Sequence, residues 1–155
     1  MAYVGHCNCN SVRITLQEQP AGSVICHWFV SAAPRTAFVI AFNTDIIFQY
    51  SENCRRAGGA FSVNYFVAED EITVEDSNNA MGVYDDQNTA AGHVIQRYFC
   101  SKCGSPTYTK TPKAPGKLFL KASLFDTIAP AVKEVFEHRR LLLFQAESSD
   151  KPKSD

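Results

Sequence analysis

Two pairs of cysteines far apart in the chain, Cys7-x-Cys9 and Cys100-x-x-Cys103, constrain the fold more than any other feature. Two thiolates at Cys-x-x-Cys spacing grip one ion, and Gly104 permits the tight turn that aims backbone N–H groups at sulfur. Such a knuckle fills only half of a tetrahedral shell. Cys7 and Cys9, expected on one side of an extended segment, offer the other half. A closed site of four thiolates would tie the amino-terminal segment to a late hairpin, and its metal-binding free energy would count directly as folding free energy. The plainer alternative makes Cys7 and Cys9 ordinary buried thiols. His6 is expected as a surface or capping residue, because four thiolates already complete a shell. His93 and His138 have no ligand-like spacing to anything.

The rest of the pattern is that of strands. "SVRITLQE" alternates Val12, Ile14 and Leu16 with Arg13, Thr15 and Gln17, the period of a half-buried strand. "AFSVNYFVAEDEITVED" predicts a strand, a turn near Glu69–Glu71 and a second strand. "HVIQRYFC" and "SPTYTKT" flank the Cys100–Cys103 pair as the arms of a hairpin, and "GKLFLKASLF" supplies another strand. From Ala131 to Ala146 the pattern fits either a helix begun by Pro130 or an extended edge followed by a short helix. The expected class is mainly β, in a single domain over residues 1–147. Residues 148–155, "SSDKPKSD", are polar and core-poor, and are expected to be a disordered tail.

Charge is balanced, with 15 basic and 16 acidic residues. That leaves no basic face for a phosphate backbone, so nucleic acid is not an expected partner. The start, "MAYVGHCNCN", lacks a basic stretch followed by an apolar run, which predicts a cytoplasmic chain without a secretory leader. The most apolar window, Phe29 to Phe42, is broken by Pro34 and Arg35 and is too short to span a bilayer as a helix, so no membrane partner is expected. Six cysteines in a reducing compartment fit metal binding better than a disulfide framework.

Taken in order, Gly5-His-Cys7-Asn-Cys9, the central Cys26-His27, "CRRAGGAF" and "RYFCSKCGSP" followed by "KLFLKASLFD" resemble the glutathione-dependent formaldehyde-activating enzyme family. The resemblance runs from Gly5 to about Arg140. It implies a zinc-stapled β-tent fold, with a structural zinc on Cys7, Cys9, Cys100 and Cys103. Asn10 stands where the family has glycine, a mild change because Asn tolerates left-handed backbone angles. The family's catalytic zinc sits on Cys-His-Cys-x-x-Cys and keeps a position open for a substrate thiol. Cys26 and His27 match its first two letters, and Cys54, within "ENCRRAGGAF", matches its last cysteine.

Between them lies "WFVSAAPRTAFVIAFNTDIIFQYS", Trp28 to Ser51, with two charges and no glycine. This segment occupies the place of one cysteine, so the motif reads as interrupted by an insertion, and the middle ligand is missing. Trp is encoded only by TGG, and Phe29 follows it, so the coding strand reads TG|GTTY at Trp28–Phe29. An AGY codon for Ser51 gives AG|Y. Removing one nucleotide of codon 28, the 22 codons from Phe29 to Tyr50 and two nucleotides of codon 51 takes out a length divisible by three. The joined codon, TGY, is Cys, and the product reads Cys-His-Cys-Glu-Asn-Cys. Residues 28–51 therefore fit a retained intron translated in frame, with a genuine insertion as the alternative.

The resemblance implies an enzyme, a zinc-dependent carbon–sulfur lyase or synthase acting on glutathione or related thiol adducts. Zinc and glutathione are the implied cofactor and co-substrate, and a small-molecule thiol adduct is the implied partner. Cys26 and Cys54 would be the remaining ligands of the catalytic zinc, in a chain impaired by the interruption. Arg55 and Arg56 are candidates for the glutathione carboxylates, although solvated surface arginines fit as well. Lys121, Ser123 and Asp126 fall where the family has a strand beside the site. The competing reading is a non-catalytic, zinc-stabilised binding module on the same scaffold.

Overall fold

Alternation along the chain resolves into ten strands in the computed structural model, which describes residues 2–27, 58–59, 61–87, 89 and 92–135. They are β1 (Tyr3–His6), β2 (Arg13–Leu16), β3 (Ser23–His27), β4 (Phe61–Ala68) and β5 (Ile72–Glu75). The others are β6 (Met81–Asp86), β7 (Ile95–Cys100), β8 (Pro106–Lys110), β9 (Lys117–Lys121) and β10 (Ala131–Val135). β1, β2 and β5 form a small antiparallel sheet with β2 in the middle. The remaining seven form a larger open sheet in the order β10-β3-β4-β9-β8-β7-β6. Its pairings are antiparallel except β10 with β3. The expected mainly β class is what the chain adopts.

The two sheets share one core. Ile14 and Leu16 point inward from β2 while Arg13 stays exposed, as the alternation predicts. From the larger sheet, Tyr65 and Val67 of β4 and Leu118 and Leu120 of β9 meet them, and Cys7 and Cys100 belong to the same cluster. Gly5 lets β1 approach the core closely: a Cβ there would lie 2.9 Å from the Phe125 ring. Tyr3 then stacks on Phe125, with ring centroids 4.2 Å apart.

Buried hydroxyls need partners, and Tyr65 has them. Its oxygen accepts the Ala129 N–H at 2.9 Å and meets the Tyr3 hydroxyl, also at 2.9 Å. Tyr3 donates onward to the Thr127 carbonyl. Burial, together with the bond to Tyr65, pushes the Tyr3 phenol above its usual range.

β4 is enclosed on both sides. Tyr65 and Val67 face the shared core, while Ser62 and Asn64, one position out of phase with them, are buried on the opposite face. β9 repeats this division, with Leu118 and Leu120 toward the core and Lys121 buried on the other face. The larger sheet thus has an apolar face and a polar buried face.

Two expectations change. Cys7 to Asn10 is a turn and not an extended segment: Asn10 N–H bonds to the Cys7 carbonyl at 2.9 Å, and Cys7 N–H bonds to that of Val12 at 3.0 Å. The turn is what swings Cys9 back beside Cys7. The first five residues of Ala131–Ala146 are strand, paired to β3. The remainder of that stretch, the tail 148–155 and the segment 28–51 lie outside the described residues.

Candidate metal centre

The turn after β1 and the hairpin turn between β7 and β8 bring Cys7, Cys9, Cys100 and Cys103 together, with all four sulfurs within 4.8 Å of one another. Cys7 Sγ is 3.6 Å from Cys9 Sγ, which is 3.7 Å from Cys100 Sγ. A regular tetrahedron with metal–sulfur bonds of ~2.3 Å has edges of about 3.8 Å, so the spacing fits zinc-sized coordination. It is far from a disulfide, and none of these four cysteines is disulfide-bonded.

Backbone geometry builds each half. Asn10 sits at φ 58° and Gly104 at φ 75°, both in the left-handed region. Asn10 does at the first turn what a glycine would, and Gly104 closes the second by donating its N–H to the Cys100 carbonyl at 2.8 Å. His6 is not drawn into the cluster; its Nδ1 lies 3.0 Å from the Cys7 carbonyl oxygen, a local contact.

Donors converge on the sulfurs. Val12 N–H points at Cys7 Sγ from 3.4 Å. Ser11 serves Cys9 through both its side chain and its backbone, and these bonds hold the Cys9 thiol below its usual range. Ser105 does the same for Cys103, with Oγ 3.3 Å from Sγ, and the Cys103 thiol falls to about 5. Cys100 is fully buried and moves the other way, pushed up to about 11 by loss of solvent despite the N–H groups of Cys103 and Lys102. Four sulfurs ringed by N–H and O–H donors suit anionic thiolates, and a cation among them would remove the penalty on Cys100.

The sequence pointed to the four clustered cysteines but not to the two serines. A signal for them exists: Cys9-x-Ser11 and Cys103-x-Ser105 place a serine two residues after the second cysteine of each pair. The Ser105 hydroxyl also ties the two halves directly, accepting the Asn8 N–H at 3.1 Å.

Cys26 is not part of this cluster. It is buried on β3, opposite Ser62 of β4. Of the other proposed residues, Lys121 is buried at the end of β9, Ser123 and Asp126 are exposed, and Cys54, Arg55 and Arg56 lie outside the described residues, as does His138. His93, near the start of β7, has Nε2 3.4 Å from Thr111 Oγ1, away from the sulfurs. Among the described residues, no helix is long and apolar enough to cross a membrane.

Compared with known proteins, residues 38–139 match the model of the glutathione-dependent formaldehyde-activating enzyme family. The chain belongs to that family. The match takes in Cys54, Cys100 and Cys103, and begins inside the 28–51 segment, past Cys7, Cys9 and Cys26. Among solved structures, the chain is similar in fold to a Rhodobacter sphaeroides protein determined by crystallography as a structural-genomics target. The TM-score is 0.51 at 16% identity, covering 84% of this chain and 98% of the other. No curated protein matches the chain significantly.

Proposed function

We propose that this family member is a zinc-dependent carbon–sulfur lyase or synthase acting on glutathione or related thiol adducts, and that its activity is impaired in the 155-residue form. The observation that carries the reading is the family match over residues 38–139. Zinc on Cys7, Cys9, Cys100 and Cys103 has a structural role, since four thiolates leave no position for substrate. Cys26 and Cys54 are the remaining thiolates of a second site, where zinc supplies a Lewis acid that favours a bound thiol in its thiolate form. Arg55 and Arg56 are assigned to the substrate carboxylates. With Trp28 in place of the middle cysteine, two thiolates hold that zinc less firmly.

Trp28 also favours a second reading, a non-catalytic zinc-stabilised binding module. The two are separated by metal analysis of the 155-residue chain and of a form lacking the segment that rejoins Cys26-His27-Cys, with an assay for S-hydroxymethyl-glutathione formation. One zinc in the long form, and two zinc ions with activity in the short form, are expected. Two zinc ions in the short form without activity on any thiol adduct would overturn the enzyme reading. The retained-intron origin of residues 28–51 is tested by sequencing cDNA across codons 26–54. A transcript pool containing the long form alone would show a genuine insertion.

A further inference from the structure

The four sulfurs of the metal centre are not equally sheltered. Cys7 is 1% exposed, Cys100 is fully buried and Cys103 is half-buried, whereas Cys9 is open to solvent. The backbone sets this difference. On one side of Cys9 the Asn8 N–H donates to Ser105 Oγ at 3.1 Å, and on the other the Asn10 N–H donates to the Cys7 carbonyl at 2.9 Å. Asn8, Cys9 and Asn10 form the exposed crest of this pinned turn, so a molecule in solution meets the cluster at Cys9.

Reactivity at sulfur follows access as well as charge, and a buried structural cysteine is inert where an exposed one reacts. The surroundings of Cys9 also favour one class of reagent. Cys7 Sγ and Cys100 Sγ lie 3.6 and 3.7 Å from Cys9 Sγ. A second thiolate is therefore in place to displace whatever first joins Cys9, provided that the adduct carries a sulfur leaving group. A small disulfide supplies one; an alkylating reagent does not.

Resting on the structural-zinc assignment above, we propose that Cys9 is a modification site at which a small disulfide, such as glutathione disulfide, opens the metal staple. In the first step the Cys9 thiolate attacks one sulfur of the reagent. The Cys9–glutathione S–S bond forms, the reagent's own S–S bond breaks, and one glutathione thiolate leaves. Cys9 now carries an uncharged disulfide sulfur, and the thiolate is the form that ligates metal. In the second step the thiolate of Cys7 or Cys100 attacks Cys9 Sγ, closes a protein disulfide and expels the second glutathione thiolate. Two protein thiolates are oxidised while one external disulfide is reduced to two thiolates, so the electrons balance. Two of the four thiolates remain, half of a closed tetrahedral shell, and the centre loses its hold on the ion. Excess reduced glutathione runs both steps backward. The steps need the four-cysteine centre and not the lyase activity.

Glutathione disulfide added without air to the zinc-loaded 155-residue protein tests this. Quenched samples are peptide-mapped by mass spectrometry, and zinc release is followed with a metal-binding dye. Among the four cysteines the first glutathione adduct is expected on Cys9, followed by a disulfide from Cys9 to Cys7 or Cys100. One zinc per chain should leave in step with that disulfide and rebind after excess reduced glutathione. The double variant Cys26→Ser/Cys54→Ser confines the readout to the four-cysteine centre, because it removes the other two thiols of the chain. Unfolding as the cause of release would expose the four sulfurs together and label them alike. A first adduct on Cys7, Cys100 or Cys103, equal labelling of the four, or zinc retained once the Cys9 disulfide has formed would overturn the proposal and leave the structural zinc standing. A double variant that folds but binds no zinc would overturn both.

Discussion

Ser11 and Ser105 are the residues on which the metal centre's electrostatics turn. Each sits two positions after a ligand cysteine and lowers that cysteine's pKa through its hydroxyl and its N–H. Removing a partner of this kind costs a metal site about 10–100-fold in affinity. Ser105→Ala is therefore expected to weaken zinc binding by that factor in a chelator competition, with Ser11→Ala acting in the same direction. The pH behaviour of the metal-free chain follows from the same groups. Cys103 falls from 9.0 to about 5, so the stability it contributes is complete above pH 9 and is lost as pH falls through 5. Cys100 rises from 9.0 to about 11, so its contribution is complete below pH 9 and is lost as pH rises through 11. At pH 7 Cys100 is thus still a thiol, and zinc binding should release its proton, detectable with an indicator dye in weak buffer. No proton release at pH 7 would contradict the assigned states. The clustering of Cys7, Cys9, Cys100 and Cys103 was legible in the sequence because thiol spacing is chemically restrictive. The serines were not, since a hydroxyl two residues from a cysteine has many ordinary uses.

Among the strands, those with clear alternation and turn residues at both ends were readable: β2, β4, β5, β7, β8 and β9 lie where the pattern predicts, and the turn at Glu69–Glu71 is a single 3₁₀ turn. β1, β3 and β6 were not. β1 is four residues containing Gly5, and its strand character comes from pairing with β2 and packing on Phe125. β3 joins β4 and β10, partners that a local pattern does not reveal. β6 leaves Val83 and Tyr84 largely exposed at the sheet edge, so burial wrote no alternation into it. Leu120 of β9 is fully buried in the shared core, and Leu120→Ala should cost about 2–5 kcal/mol in denaturant unfolding of the zinc-loaded protein. Gly5→Ala tests the close approach of β1. Its methyl would press on the Phe125 ring, so a loss of about 1–3 kcal/mol is expected, where an exposed strand glycine would gain stability from the same change.

For the molecule as a whole, the question is what holds the small sheet to the large one. Among the described residues, the attachments include the apolar core shared by β2, β4 and β9, the Tyr3–Tyr65 and Asn8–Ser105 hydrogen bonds, and the four sulfurs that join the turn after β1 to the hairpin of β7 and β8. Structural zinc in small peptides contributes about 10–16 kcal/mol, comparable with the whole stability of a domain, ~5–15 kcal/mol. Chelation at pH 7 is therefore expected to release β1 and β2 first, because two turns lose their common ion while the β4–β9 pairing of the large sheet keeps its own core contacts. Native-state amide exchange locates the effect. Protection should fall at Tyr3–His6 and Arg13–Leu16, persist longest at Phe61–Ala68 and Lys117–Lys121, and return on adding zinc. Uniform protection before and after chelation would mean that the shared core and the hydrogen bonds join the sheets without the ion. Simultaneous loss everywhere would mean that the two sheets and their staple form one cooperative unit.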